Sequence, residues 1–597
     1  MLPIVGKNTE NTGPEGLSVI SKKGRRLGEA DQPRDPSRRS FLGKMGTAAT
    51  VAMAAGAVTL EPLVGGKHSI ASASVADYDS GARVAASDTY RVNTATADNI
   101  NVGVQPDNGD AALYADKSGS YSKVLAHDAL AKPNLAAWNS LVTAMRTGAA
   151  ADFEAIINGG TRKHNNPQGG LALDLEGLDS HAFVVRPAPA FASAETAGEE
   201  VEHYWAALLR DVPFTEYATG THSLVSEAVA DMNRLSAFRG PFPLTAENLF
   251  RGQIAPGDGN TIGPYLSQFM VLPTFFGAQP ISQRFRTFLP VGRGGADYMT
   301  SVSDYMTVAN GGSTDQVLNF DPIDRYLRNG RDLASWTHVD VLYQGYFTAL
   351  LVLGAINAPV NPGSPYVNYT KTQGFATLGG PDFAATLAEV ATRALKAVWF
   401  HKWVVNLRPR PEEMGAVVHL IQTGQGSTVD AKVHGDVLNS SALRRIFTRY
   451  GTYLLPQAFP EGSPAHPCYP TGHGTVGGAC ITVLKFFFDG TQRIQPLLQA
   501  AGSDVKQPHP NGHTLDLYRG SDAGDLTING ELSKLAFNIS FGHGIHAGIH
   551  FRSSTVQSIL LGEQVALSIL QDKANCYNEK FSVTLTKFDG TTATISN

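Results

Sequence analysis

The stretch from Glu461 to Val476 (EGSPAHPCYPTGHGTV) leaves a proline-punctuated loop and enters a helix, with a hydroxyl, a glycine and a histidine at the junction. A helix start carries free backbone N–H groups and partial positive charge, so it can seat a tetrahedral oxyanion. Thr471 and His473 add side-chain donors, and Gly472 and Gly474 are expected to let the backbone come close to an anion. Two further segments carry matching chemistry. Before Lys402, the apolar positions Leu387, Ala391, Leu395 and Val398 mark a helix, and the same spacing puts Lys402 on its buried stripe. A lysine there is costly unless it meets an anion, and Pro409 and Pro411 fix Arg410 just past the helix end. The third segment follows a face of Leu532, Leu535, Ala536 and Ile539, which His543, His546 and His550 are expected to extend. Each residue alone has a plainer explanation: a lysine reaching out from a helix end, or a histidine satisfied in a core.

Taken together, Lys402-x7-Arg410-Pro411, Pro470-Thr471-Gly472-His473 and the histidine of Gly548-Ile549-His550 resemble the vanadium-dependent haloperoxidases, bromoperoxidase-like branch. That family belongs to the superfamily that also holds the type 2 phosphatidic-acid phosphatases. Similarity extends to 177–223, 283–290 and 379–571, most of the chain beyond its leader. The resemblance implies a vanadate cofactor with His550 as the vanadium ligand, held by Lys402, Arg410, Thr471 and the Gly472 N–H. It implies His473 as the acid–base group and His466 as a histidine that tunes halide oxidation. Hydrogen peroxide, a halide (bromide or iodide) and a small organic acceptor would be the partners, and a homo-oligomer is the expected assembly.

The chain departs from the pattern. The family has an arginine six residues before the axial histidine, where this chain has Gly544. Losing one charge-assisted contact to a buried oxyanion costs about 1.5–3 kcal/mol. His543, His546 and Arg552 are the neighbours that would substitute, and Gly544→Arg is expected to tighten vanadate. Ser554 stands where an aspartate often follows the ligand. Two other readings therefore stay open. One is an acid phosphatase in which His550 attacks phosphorus. The other is a homologue that has lost vanadate and been repurposed, including a metal site built from His543, His546 and His550.

The chain of 597 residues is 42% hydrophobic and 17% charged with a net charge of −5, which suits a globular enzyme and gives no electrostatic footprint for nucleic acid. Three cysteines are too few for a disulfide framework, and Cys468 and Cys480 read as packing residues. Ser37-Arg38-Arg39-Ser40-Phe41-Leu42-Gly43-Lys44 matches a twin-arginine signal, with Ala71-Ser72-Ala73 as a cleavage site. Export to the periplasm or beyond, without stable membrane insertion after processing, is the expectation.

The expected fold is mostly α, two four-helix bundles with a small C-terminal β-hairpin. The organisation follows: leader 1–73, helices and loops 74–330, a core carrying the vanadate site 331–575, and the hairpin 576–597. Expected helices include 121–130, 199–209, 225–236, 332–354 and 382–405. Helices are also expected to begin at His473, Glu531 and Ser554. Phe581 to Ile595 alternates around Asp589-Gly590 and reads as the hairpin.

Overall fold

A computed structural model describes residues 80–98, 105–220 and 222–597, so the twin-arginine segment and the leader up to 73 lie outside the described residues. The elements used below are the helices α1 (Leu135–Thr147), α2 (Ala194–Leu209), α3 (Ser223–Asn233), α4 (Gly330–His338), α5 (Gln344–Ala355) and α6 (Gly380–Phe400). They continue with α7 (Pro411–Gln422), α8 (Ser441–Tyr450), α9 (Gly472–Phe487), α10 (Ile528–Phe541) and α11 (Arg552–Cys576), and with strands β1 (Ser582–Thr586) and β2 (Thr592–Ser596). The mostly α expectation holds. Sheet among the described residues is confined to two-stranded pairs, and β1–β2 is the hairpin that the alternation around Asp589-Gly590 predicts.

Two helical groups form the body. Helices α6, α9, α10 and α11 pack together, and α2 gathers α3, α7 and α8. The centre of the first group is α9, whose side chains are all buried. It packs so closely on α11 that small residues are obligatory. A Cβ at Gly562 would overlap the Thr475 carbonyl oxygen, and one at Gly478 would overlap that of Ile559. Gly474 belongs to this set, because a Cβ there would run into Ser558 Oγ. Its glycine serves helix packing, a correction to the expectation that it lets backbone approach an anion. Overpacking outweighs the helix preference of alanine at such a place, so Gly562→Ala should lose about 1–3 kcal/mol or more in chemical denaturation.

Several boundaries differ from expectation. Residues 121–130 are not helical. Tyr121 packs against His164 and Trp403, while Ser122 and Lys123 engage Glu413 and Glu412, so these side chains serve long-range pairs. The helix expected over 332–354 is two, α4 and α5, and the break between them carries Asp340. The helix through Lys402 changes geometry at Phe400, where a π turn, His401–Asn406, takes over and ends at Leu407 with φ 40°. A second π turn, Gly542–His546, follows α10. Each π turn widens the helix by one residue and resets which side chains face inward.

Helix α2 ties the elements that bear the site together. Its Glu199 accepts from Ser553 and Arg408, and its Glu202 accepts from Arg552. These pairs fix the start of α11 and the approach to Arg410.

Candidate active site

Three segments converge between the two helical groups. The first is the π turn after α6 and the link into α7. Lys402 is fully buried, and its Nζ donates to the carbonyls of Pro467 (2.7 Å) and Cys468 (3.2 Å). An ammonium has three N–H donors, so one remains for a ligand. Burial, with the Arg410 charge added, pushes Lys402 well below the ordinary lysine range. Arg410, also fully buried, donates Nε–H to the His466 carbonyl (2.8 Å) and Nη1–H to the Ile549 carbonyl (3.0 Å). Its Nη1 also reaches His550 Nε2 (2.9 Å), and its Nη2 reaches His466 Nδ1 (2.9 Å) and the Pro464 carbonyl (3.2 Å).

All the side-chain bonds of Lys402 and Arg410 go to carbonyls or imidazole nitrogens, none to a carboxylate. Among the described residues the other buried cations are paired with carboxylates, except Lys485, which lies over the Phe588 ring. Arg408 meets Glu199, Arg552 meets Glu202, Lys534 meets Glu531, and Arg210 and Arg331 meet Asp297. Glu412 and Glu413, at the start of α7, are taken by Lys123 and by the Arg410 and Ser122 backbones. Two adjoining buried cations without a counter-ion describe an anion site.

The second segment is the loop into α9. Thr471 occupies the N-cap position, yet its hydroxyl caps nothing. Its Oγ1 is buried without a partner, beside the free N–H groups of the first turn. Gly472 lies under the half-buried Trp399, where a Cβ would stand 3.4 Å from the indole. His473, in that first turn, lies 2.9 Å by Nε2 from Asp340 Oδ1. His466 stacks obliquely on Trp399, with ring centroids 4.8 Å apart. Burial, then the Arg410 and Lys402 charges, hold it well below the usual histidine range. Cys468 packs its Sγ against Ile549 and Ser554, while its carbonyl accepts from Lys402 and His550.

The third segment turns out of α10 through Gly548, whose φ of 84° reverses the chain. His550 follows, buried, with Nδ1 2.7 Å from the Cys468 carbonyl. A carbonyl can only accept, so Nδ1 carries the proton and Nε2 carries the lone pair, which here accepts from Arg410 Nη1. Burial and the Arg410 charge hold this imidazole neutral, well below the usual histidine range. That tautomer suits a ligand to an electrophilic centre.

The histidines of this segment do not share one face, contrary to the expectation. The π turn sends His546 away into a cage of Phe214, Phe250 and Tyr265. There the Tyr265 hydroxyl donates to the Phe250 carbonyl and so accepts from His546 Nε2. A metal site of His543, His546 and His550 is thereby ruled out. Arg552 is committed to Glu202 and the Arg251 carbonyl, so it does not substitute for the absent arginine. A Cβ at Gly544 would lie 3.2 Å from the His550 carbonyl oxygen and 3.4 Å from its Cβ. An arginine there would require the His550 backbone to shift by a few tenths of an ångström. Lys402, Arg410, His466, Thr471, Gly472, His473 and His550 are brought together. Asp340 is the neighbour that spacing did not reveal, because its helix was expected to run unbroken.

No protein-family profile matches the chain. Relatives do. It is 34% identical over 494 residues to the vanadium-dependent bromoperoxidase of Corallina officinalis, covering 73% of this chain and 80% of that one. The chain belongs to the vanadium-dependent haloperoxidase family. The vanadium-dependent bromoperoxidase of Ascophyllum nodosum is 30% identical over 85% of this chain and 90% of its own. Among solved structures, the homohexameric second vanadate-dependent bromoperoxidase of Ascophyllum nodosum aligns with a TM-score of 0.80. That match has 27% identity and covers 90% of this chain and 94% of that one.

As a haloperoxidase site, the constellation fits its cofactor on its own terms. Thr471 Oγ1 is an unpaired buried hydroxyl, Lys402 and Arg410 lack carboxylates, and His550 presents a lone pair. Asp340 is a positioning residue here. Asp340→Asn should lower kcat by about ten- to a hundredfold, with the vanadate Kd unchanged in calorimetry, since it orients His473 without touching the anion.

Proposed function

We propose that this chain is a vanadate-dependent haloperoxidase that uses hydrogen peroxide to oxidise bromide or iodide to a hypohalous-acid equivalent, which halogenates a small organic acceptor. The carrying observation is the pair Lys402 and Arg410, buried and free of carboxylates, with Arg410 on His550 and Lys402 on the Cys468 carbonyl that His550 also uses. The relatives named as vanadium-dependent bromoperoxidases support the halide chemistry. When bound, vanadate supplies Lewis acidity toward peroxide. His550 Nε2 would ligate it, which requires Arg410 Nη1 to move from that nitrogen onto an anion oxygen. Lys402, Thr471 Oγ1 and the Gly472 N–H would take the other oxygens, each a charge-assisted contact. His473, oriented by Asp340, takes the proton that hydrogen peroxide gives up and returns it to a leaving oxygen. His466, between Arg410 and Trp399 beside the anion site, is the residue we assign to tuning halide oxidation.

The test is peroxidation of bromide and iodide by the purified chain, first apo and then reconstituted with orthovanadate. Vanadate-dependent turnover is expected. Hydrolysis of a phosphate monoester without halide oxidation would place the chain with the acid phosphatases instead.

Two wider parts belong to the same reading. The Ser37–Lys44 motif supports twin-arginine export to the periplasm or beyond, and lysines at Arg38 and Arg39 should leave the enzyme in the cytoplasm on fractionation. No described helix is long and apolar enough to cross a membrane. A homo-oligomer is supported by the hexameric relative.

A further inference from the structure

The vanadate reading, on which this inference rests, leaves one imidazole of the site without a task. His543 is 7% exposed and lies in the π turn Gly542–His546. Its ring stacks on His473 with centroids 4.1 Å apart and a tilt of 28°, and it lies 5.9 Å from the His550 ring. Its Nδ1 is buried with no hydrogen-bond partner. Its polar neighbours are directed elsewhere, although His546 Nδ1 is also buried without a partner. His546 is bound to Tyr265, Arg552 to Glu202, and the Gly544 carbonyl accepts from the backbone N–H groups of Ile549 and His550. Lys402 and Arg410 approach from the α6–α7 link, and Thr471 and Gly472 from the start of α9. From the end of α10, His543 is the side chain turned toward these groups.

We propose that His543 is a direct hydrogen-bond donor to the oxyanion ligated by His550, delivered into the site by the π turn. A neutral imidazole has one N–H to give, so the role needs no added charge. The geometry also accounts for the sequence departure. His543 stands seven residues before His550, one more than the arginine the resemblance implies, and one residue is what a π turn absorbs. An α-helical turn would have left Gly544 in that place, with no side chain to offer.

The test is orthovanadate titration calorimetry on the full chain, with turnover measured in parallel. His543→Phe keeps the stack on His473 and removes the donor, and His543→Gln keeps a donor on a smaller side chain. His543→Phe is expected to raise the vanadate Kd about ten- to a hundredfold, the loss of one hydrogen bond to a charged group. His543→Gln should restore part of it. A His543→Phe protein with the wild-type Kd overturns the proposal, even if kcat falls, because that outcome describes mere support of His473. Lys402→Met separates the levels. If it weakens vanadate while His543→Phe does not, only the role of His543 fails. If the wild type binds no vanadate, the underlying reading fails with it.

Discussion

His550→Ala should bind orthovanadate at least about a hundredfold more weakly than the wild type and show no vanadate-dependent bromide oxidation. The size follows from position. Losing a group that merely orients a metal ligand already costs roughly ten- to a hundredfold in affinity, and His550 Nε2 is the lone pair that would bind the metal once Arg410 Nη1 moves off it. Its Nδ1 is bound to the Cys468 carbonyl, which fixes the tautomer and leaves Nε2 for the cofactor. Folding should survive, because that carbonyl keeps a bond from Lys402. Calorimetry and a bromide assay on the same preparation check this. Vanadate-dependent turnover within tenfold of wild type in His550→Ala would exclude His550 as the ligand.

Lys402→Met and Arg410→Lys should each lose about ten- to a hundredfold in vanadate affinity, for different reasons. Lys402 is a buried ammonium with one donor to spare, so methionine removes a charge-assisted bond worth about 1.5–3 kcal/mol. Arg410 spreads its guanidinium over His466, Pro464, Ile549 and His550, a span that lysine's single ammonium does not match. Thermal stability gives an independent readout. At a hundredfold excess over Kd, a ligand stabilises the folded chain by about 2.7 kcal/mol. Orthovanadate should therefore raise the wild-type Tm, and at that concentration most of the rise should vanish in either variant. An undiminished rise in both would mean that the anion binds elsewhere.

Much of this site was legible because its chemistry is local. Lys402 and Arg410 are spaced by one helix end and Pro409, with Pro411 just after, and Thr471, Gly472 and His473 sit within a single turn. The mostly α architecture and the terminal hairpin follow from apolar spacing and from Asp589-Gly590. What escaped depends on distant or irregular backbone. Asp340 reaches His473 because the helix expected over 332–354 breaks at 339–343. The face expected to run through His543, His546 and His550 failed because a π turn changes the helical phase. Spacing cannot show that His546 turns to Tyr265 while His543 meets His473. Arg552 was open as a substitute until Glu202, on a helix remote in sequence, was seen to hold it. Gly474 looked like part of an anion loop, and close packing on Ser558 explains it instead.

A crystal structure of the chain loaded with orthovanadate addresses the anion site directly. One vanadium per chain, bonded to His550 Nε2, is the expected result. Arg410 Nη1 should have moved off that nitrogen onto an oxygen, with Lys402 Nζ and Thr471 Oγ1 on the others. A loaded crystal in which Arg410 still occupies His550 Nε2, with no anion beside Lys402, would contradict the account.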